Sequence, residues 1–154
     1  MKKYAYVTLL CALLLLVPGT DLLAQATHEI TLKVNTANFD KSNPAASCAF
    51  EAGEGTIVLV ANPPQDFMIQ AEVGDTIRWR GVSTNQTGVS VQIRKIKYAR
   101  GVNIFPQSEI DGENTVQATI TKGGTRNDDY KYIISFKIND TGSMYHIDPK
   151  IRVN

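Results

Sequence analysis

Beyond residue 29, apolar and polar side chains alternate along most of the chain, and the interruptions fall at glycine, proline and asparagine. Ile30, Leu32 and Val34 alternate with Thr31, Lys33 and Asn35, the pattern of a strand with one buried face. Residues 36–55 lose the alternation and are rich in Asn, Ser, Ala and Gly, which predicts a long irregular connection with room for one helical turn. Thr56-Ile57-Val58-Leu59-Val60 is a β-branched run stopped by Asn62-Pro63-Pro64, the pattern of a fully buried strand. Gly74-Asp75 then turns the chain into a strand that sets Ile77 and Trp79 on one face and Thr76, Arg78 and Arg80 on the other. Trp79 is the only tryptophan, and burying so large a ring in a short strand calls for a second sheet above it.

The alternation continues through Val89, Val91 and Ile93, and slips phase at Arg94-Lys95 before Ile96 and Tyr98 resume it, as a β-bulge would. Val116, Ala118 and Ile120 give a further strand. The longest run follows, with Tyr130, Tyr132, Ile134, Phe136 and Ile138 on one face, and Asn139 to Gly142 turn it toward Tyr145-His146-Ile147 and then Ile151 and Val153. The prediction is an all-β protein, an antiparallel Greek-key β-sandwich of seven or eight strands, with Trp79, Tyr130, Tyr132 and Phe136 in its core.

The first residues read as an address. Lys2-Lys3, the apolar run Val7 to Val17 and the small-x-small Ala24-Gln25-Ala26 fit a secretory signal peptide over residues 1–26, leaving one β-sandwich domain over 27–154 and no transmembrane anchor after cleavage. The destination is the periplasm or the cell exterior. Lys2, Lys3 and Asp21 leave with the signal, so the 16 basic and 15 acidic side chains become 14 of each. A neutral chain does not fit a nucleic-acid binder. One cysteine remains, Cys48, so no intrachain disulfide forms in an oxidising compartment and stability comes from packing.

Three pieces of the chain resemble cupredoxins, the plastocyanin- and azurin-type fold: Val73-Gly74-Asp75-Thr76-Ile77-Arg78-Trp79, Tyr130-Lys131-Tyr132 and Ile151-Arg152-Val153. The resemblance implies that sandwich topology and, in electron carriers, copper held by two histidines, a cysteine thiolate and usually a methionine. This chain departs from that set. Val82 to Thr87 holds no histidine, Ile133-Ile134-Ser135-Phe136 stands where the cysteine is expected, and Met144 and His146 are two residues apart. The chain therefore resembles a small secreted bacterial relative without a type 1 copper centre, and no cofactor is expected.

Two functional readings follow. The first is an exported, non-enzymatic binding or structural module. Arg78, Arg80, Arg94 and Lys97 would form its interaction face: if their strands pair, these side chains make a cationic stripe suited to an acidic polysaccharide or an acidic protein surface. The second is a copper carrier or sensor using His146, Met144 and either His28 or Cys48, although no ligand spacing links these residues.

Overall fold

The computed structural model describes residues 24–124, 128–140 and 142–154, so the signal-peptide reading lies, apart from Ala24 to Ala26, outside the described residues. Eleven strands are formed among them: β1 Thr27–Val34, β2 Cys48–Ala52, β3 Ile57–Val60, β4 Met68–Ala71, β5 Thr76–Ser83, β6 Val91–Arg100, β7 Glu109–Asp111, β8 Thr115–Thr119, β9 Tyr130–Ile138, β10 Tyr145–Ile147 and β11 Lys150–Val153. Short 3-10 turns cover Pro44–Ser47 and Pro64–Asp66. No helix among the described residues is long and apolar enough to cross a membrane.

The strands make two layers. The smaller sheet runs β2-β1-β5-β8 and the larger runs β3-β4-β11-β9-β6-β7, with β10 on the β11 side of β9. The sheets are mixed rather than antiparallel throughout, because β1 lies parallel to β5 and β11 parallel to β4. Alternation with a period of two is the same for either neighbour direction, so the sequence pattern carried no sign of these pairings. There are also more strands than the seven or eight expected. Part of the excess is β2, built from Cys48, Phe50 and Ala52 inside the stretch expected to be irregular, where small side chains mask the alternation.

The interior is organised on Trp79 of β5, which is fully buried. Its indole Nε1 donates to the Tyr132 hydroxyl on β9 at 3.0 Å, a hydrogen bond that joins the two sheets through the core. Tyr132 and Phe105 meet the indole edge-on, with centroids 5.6 and 5.8 Å away. Tyr130, Tyr132 and Phe136 are buried beside it, on the face that the alternation of β9 assigns to the core.

The phase slip in β6 is a bulge. Ile93 pairs with Phe136 and Lys95 with Ser135, so Arg94 is the extra residue between them. The insertion changes the parity of the strand. Ile93, Ile96 and Tyr98 all face the core side, while Lys95 and Lys97 stand on the outer surface of the larger sheet.

Candidate functional site

The bulge has a chemical consequence, because it lines up polar side chains across four strands. His146 on β10 lies opposite Ser135 on β9, Ser135 opposite Lys95 on β6, and Lys95 opposite Asp111 on β7. One step along, Ile133, Lys97 and Glu109 form a second row. Between the rows and the Ile147-Asp148 end of β10 lies an open groove of about 540 Å³. Ile133 gives it an apolar part, and Lys95, Lys97, Glu109, Asp148 and the Ser135–His146 pair its polar part.

Most polar groups in the groove already have a partner. The Ser135 hydroxyl lies 3.0 Å from His146 Nδ1, on a serine only 5% exposed. Lys95 Nζ reaches Glu109 Oε2 at 2.9 Å and Asp111 Oδ1 at 3.4 Å, and Lys97 Nζ reaches Glu109 Oε1 at 3.1 Å. Hydrogen bonds from Lys95 and then Lys97 hold the Glu109 carboxyl below the usual glutamate range. Donating to Glu109 and then Asp111 pushes the Lys95 ammonium up. These pairs are solvent-exposed, so their worth is in fixing positions rather than in stability.

Among the described residues, the Ser–His contact is a pair without a third member to orient the imidazole. No hydrogen bond orients His146 through Nε2 among the described residues. Ser135 sits inside β9, with β6 on one side and β10 on the other.

The four cations expected to form one face are divided between two. Arg78 and Arg80 lie on β5, which pairs with β1 and β8; Arg94 and Lys97 lie on β6, which pairs with β7 and β9. The strands never pair, so no stripe forms. The charges are also engaged: Arg78 with Glu29 at 3.1 Å and with Gln117, Arg80 with Thr31 at 3.0 Å, and Arg94 with the Glu113 carbonyl at 3.2 Å. The physical basis for an acidic partner on that stripe is thereby removed.

The alternative copper ligands are likewise not brought together. Cys48 pairs with Val34 at one end of β1, and His28 lies six residues away toward the other end, about 20 Å along the strand. Both ring nitrogens of His28 are occupied, Nε2 by Asp75 Oδ2 at 3.0 Å and Nδ1 by Thr56 Oγ1 at 3.1 Å. An ionised carboxylate only accepts, so Nε2 carries a proton and offers no lone pair. His146 and Met144 are elsewhere again, on the groove side of the larger sheet. The described residues hold no cluster of three or more His, Cys, Asp or Glu that could take a metal ion.

Cys48 packs against the core, and burial pushes its thiol up to about 12. Its reaction with a disulfide reagent at pH 8 is expected to be at least about a hundredfold slower in the native protein than in urea, because so little thiolate is present. Equal rates in the two conditions would contradict this placement.

Sequence reasoning missed Ser135, Glu109 and Asp148 as site residues. The one available signal was Ser135 itself, a lone hydroxyl in an apolar run at an outward position of the β9 alternation.

No family model matches the chain, and no curated protein matches it in sequence. Fifteen solved chains match it in structure. Among them is PixA, an inclusion body protein from Burkholderia cenocepacia J2315, at a TM-score of 0.61 and 11% identity over 85% of this chain and 97% of that one. At this identity the likeness concerns the fold alone, and nothing in these comparisons supports a relation to cupredoxins.

Proposed function

We propose that this chain is an exported, non-enzymatic β-sandwich module that binds a hydroxyl-rich ligand, a segment of an oligosaccharide, in the groove on the outer face of the larger sheet. The observation that carries this reading is the composition of the groove: two lysines and two carboxylates around Ile133, with a serine and a histidine at one end. Sugar hydroxyls need donors and acceptors together and present an apolar ring face, and this lining offers all three. Balanced charge makes a neutral saccharide a better fit than the acidic polymer suggested by the sequence. The exported part of the reading rests on residues 1–26, and an intact mass beginning at Thr27 tests it.

The binding test is calorimetric titration of the exported protein with maltohexaose, cellohexaose, chitohexaose and hexagalacturonate. At least one neutral oligosaccharide is expected to saturate the protein, and His146→Ala or Lys97→Ala to weaken that binding about tenfold through lost hydrogen bonds. Absence of binding to every neutral sugar, or binding indifferent to both substitutions, contradicts the reading. A fluorophosphonate adduct on Ser135 would instead point to a hydrolase.

A further inference from the structure

A different part of the molecule points to a partner. β3 is the terminal strand of the larger sheet, paired with β4 on one side and with no strand on the other among the described residues. Five large hydrophobic residues are exposed in the described chain, and three are consecutive on this strand: Ile57 at 55%, Val58 at 40% and Leu59 at 36%. The strand expected from sequence to be fully buried is thus a bare edge.

The other three sheet edges are protected in ways that β3 is not. β7 carries Glu109 and Asp111, β2 carries Glu51 in an ion pair with Lys33, and β8 exposes Thr115, Gln117 and Thr119. Charged or polar side chains on an edge discourage a second chain from adding to it. β3 has neither: no charged residue lies between Glu54 and Asp66.

We propose that the β3 edge pairs antiparallel with the β3 edge of a second copy of this chain, giving a closed two-fold dimer. An uncharged strand suits its own copy because no like charges meet. With the two-fold axis at Val58, Ile57 stands opposite Leu59 of the second copy and covers it, and the reverse contact forms by symmetry. Glu54 then faces Asn62 of the second copy rather than another Glu54. The register shift between Val58 and Val60, and Pro63-Pro64 beyond, confine the pairing to a few residues. The charged β7 edge at the far side of the same sheet keeps the assembly from growing.

Sedimentation equilibrium of the exported protein tests this. The expected result is a monomer–dimer equilibrium whose dissociation constant rises at least about tenfold in Ile57→Lys, the equivalent of about 1.4 kcal/mol, and is unchanged in Val73→Lys, an exposed apolar site away from the edge. In a Cys48→Ser background, Val58→Cys is expected to form an intermolecular disulfide on mild oxidation, since opposed residues of an antiparallel pair lie within bridging range. Trp79 emission reports whether each variant is folded. A monomer at every concentration, a dimer indifferent to Ile57→Lys, association beyond the dimer, or failure of Val58→Cys to cross-link overturns the proposal. None of these outcomes touches the saccharide reading, which uses the groove and not the edge.

Discussion

Trp79→Ala is expected to lower the free energy of unfolding by about 3–5 kcal/mol, the range for truncating a large aromatic in a packed interior. A domain of this size has about 5–15 kcal/mol in total, so the variant should be partly unfolded at moderate temperature. Three losses combine. The ring leaves a cavity between the sheets, its edge-on contacts with Tyr132 and Phe105 disappear, and the Tyr132 hydroxyl loses the indole donor at 3.0 Å. Tyr132→Phe separates the last of these. It removes the acceptor without opening a large cavity, leaves a buried indole N–H unpaired, and should cost about 1–3 kcal/mol. Urea unfolding followed by far-UV circular dichroism measures both, since Trp79→Ala removes the only tryptophan. A Trp79→Ala variant within about 1 kcal/mol of the parent would mean that the indole is not the centre of the core.

The second large effect is expected at Asp75, which closes the turn entering β5. Gly74 has a positive φ of 99°, and Asp75 accepts from the Glu72 amide at 2.8 Å, the Ala26 amide at 2.9 Å and His28 Nε2 at 3.0 Å. Its carboxylate therefore fastens β1 to the β4–β5 turn. The donors from Glu72 and His28 belong to residues 27–154 and do not depend on Ala26. Asp75→Ala should cost about 2–4 kcal/mol, because nearly buried donors are left without an acceptor. Burial alone would raise this carboxyl, but the hydrogen bonds from His28, Ala26 and Glu72 outweigh it and hold it below the ordinary aspartate value. A depressed folded value means that the unfolded state takes up the proton first as pH falls. The stabilisation is then complete above the unfolded carboxylate value, near pH 4, and is lost as pH drops through the folded one. Asp75→Asn should remove this part of the acid sensitivity and flatten stability against pH below about 5, as read by urea unfolding on Trp79 emission. Unchanged pH dependence in Asp75→Asn would contradict the assigned role.

Features set by local chemistry were legible in the sequence. The Gly74-Asp75 turn, the Trp79 strand with its alternating faces and the slip at Arg94-Lys95 each depend on neighbouring residues, and each is present in the structure. What depends on pairing was not legible. The loop from Thr84 to Ser90 is as polar as a hairpin loop, yet it carries the chain from one sheet to the other, and so separates Arg78 and Arg80 from Arg94 and Lys97. The Ile57–Val60 run has the composition of a central strand, but composition does not say which strand ends the sheet. The groove was hidden for the same reason. His146, Ser135, Lys95 and Asp111 are distant in sequence and become neighbours only through the registers of β10, β9, β6 and β7.

The most direct test of the binding reading is a methyl-labelled isoleucine spectrum recorded while the oligosaccharide that binds in calorimetry is added. Ile133 lines the groove, whereas Ile30, Ile77 and Ile147 lie in the core and Ile57 on the remote edge. Saturable shifts of the Ile133 methyl groups, with Ile30, Ile77 and Ile57 unmoved, are the predicted result. A stationary Ile133 signal at saturation would place the sugar elsewhere and contradict the binding reading.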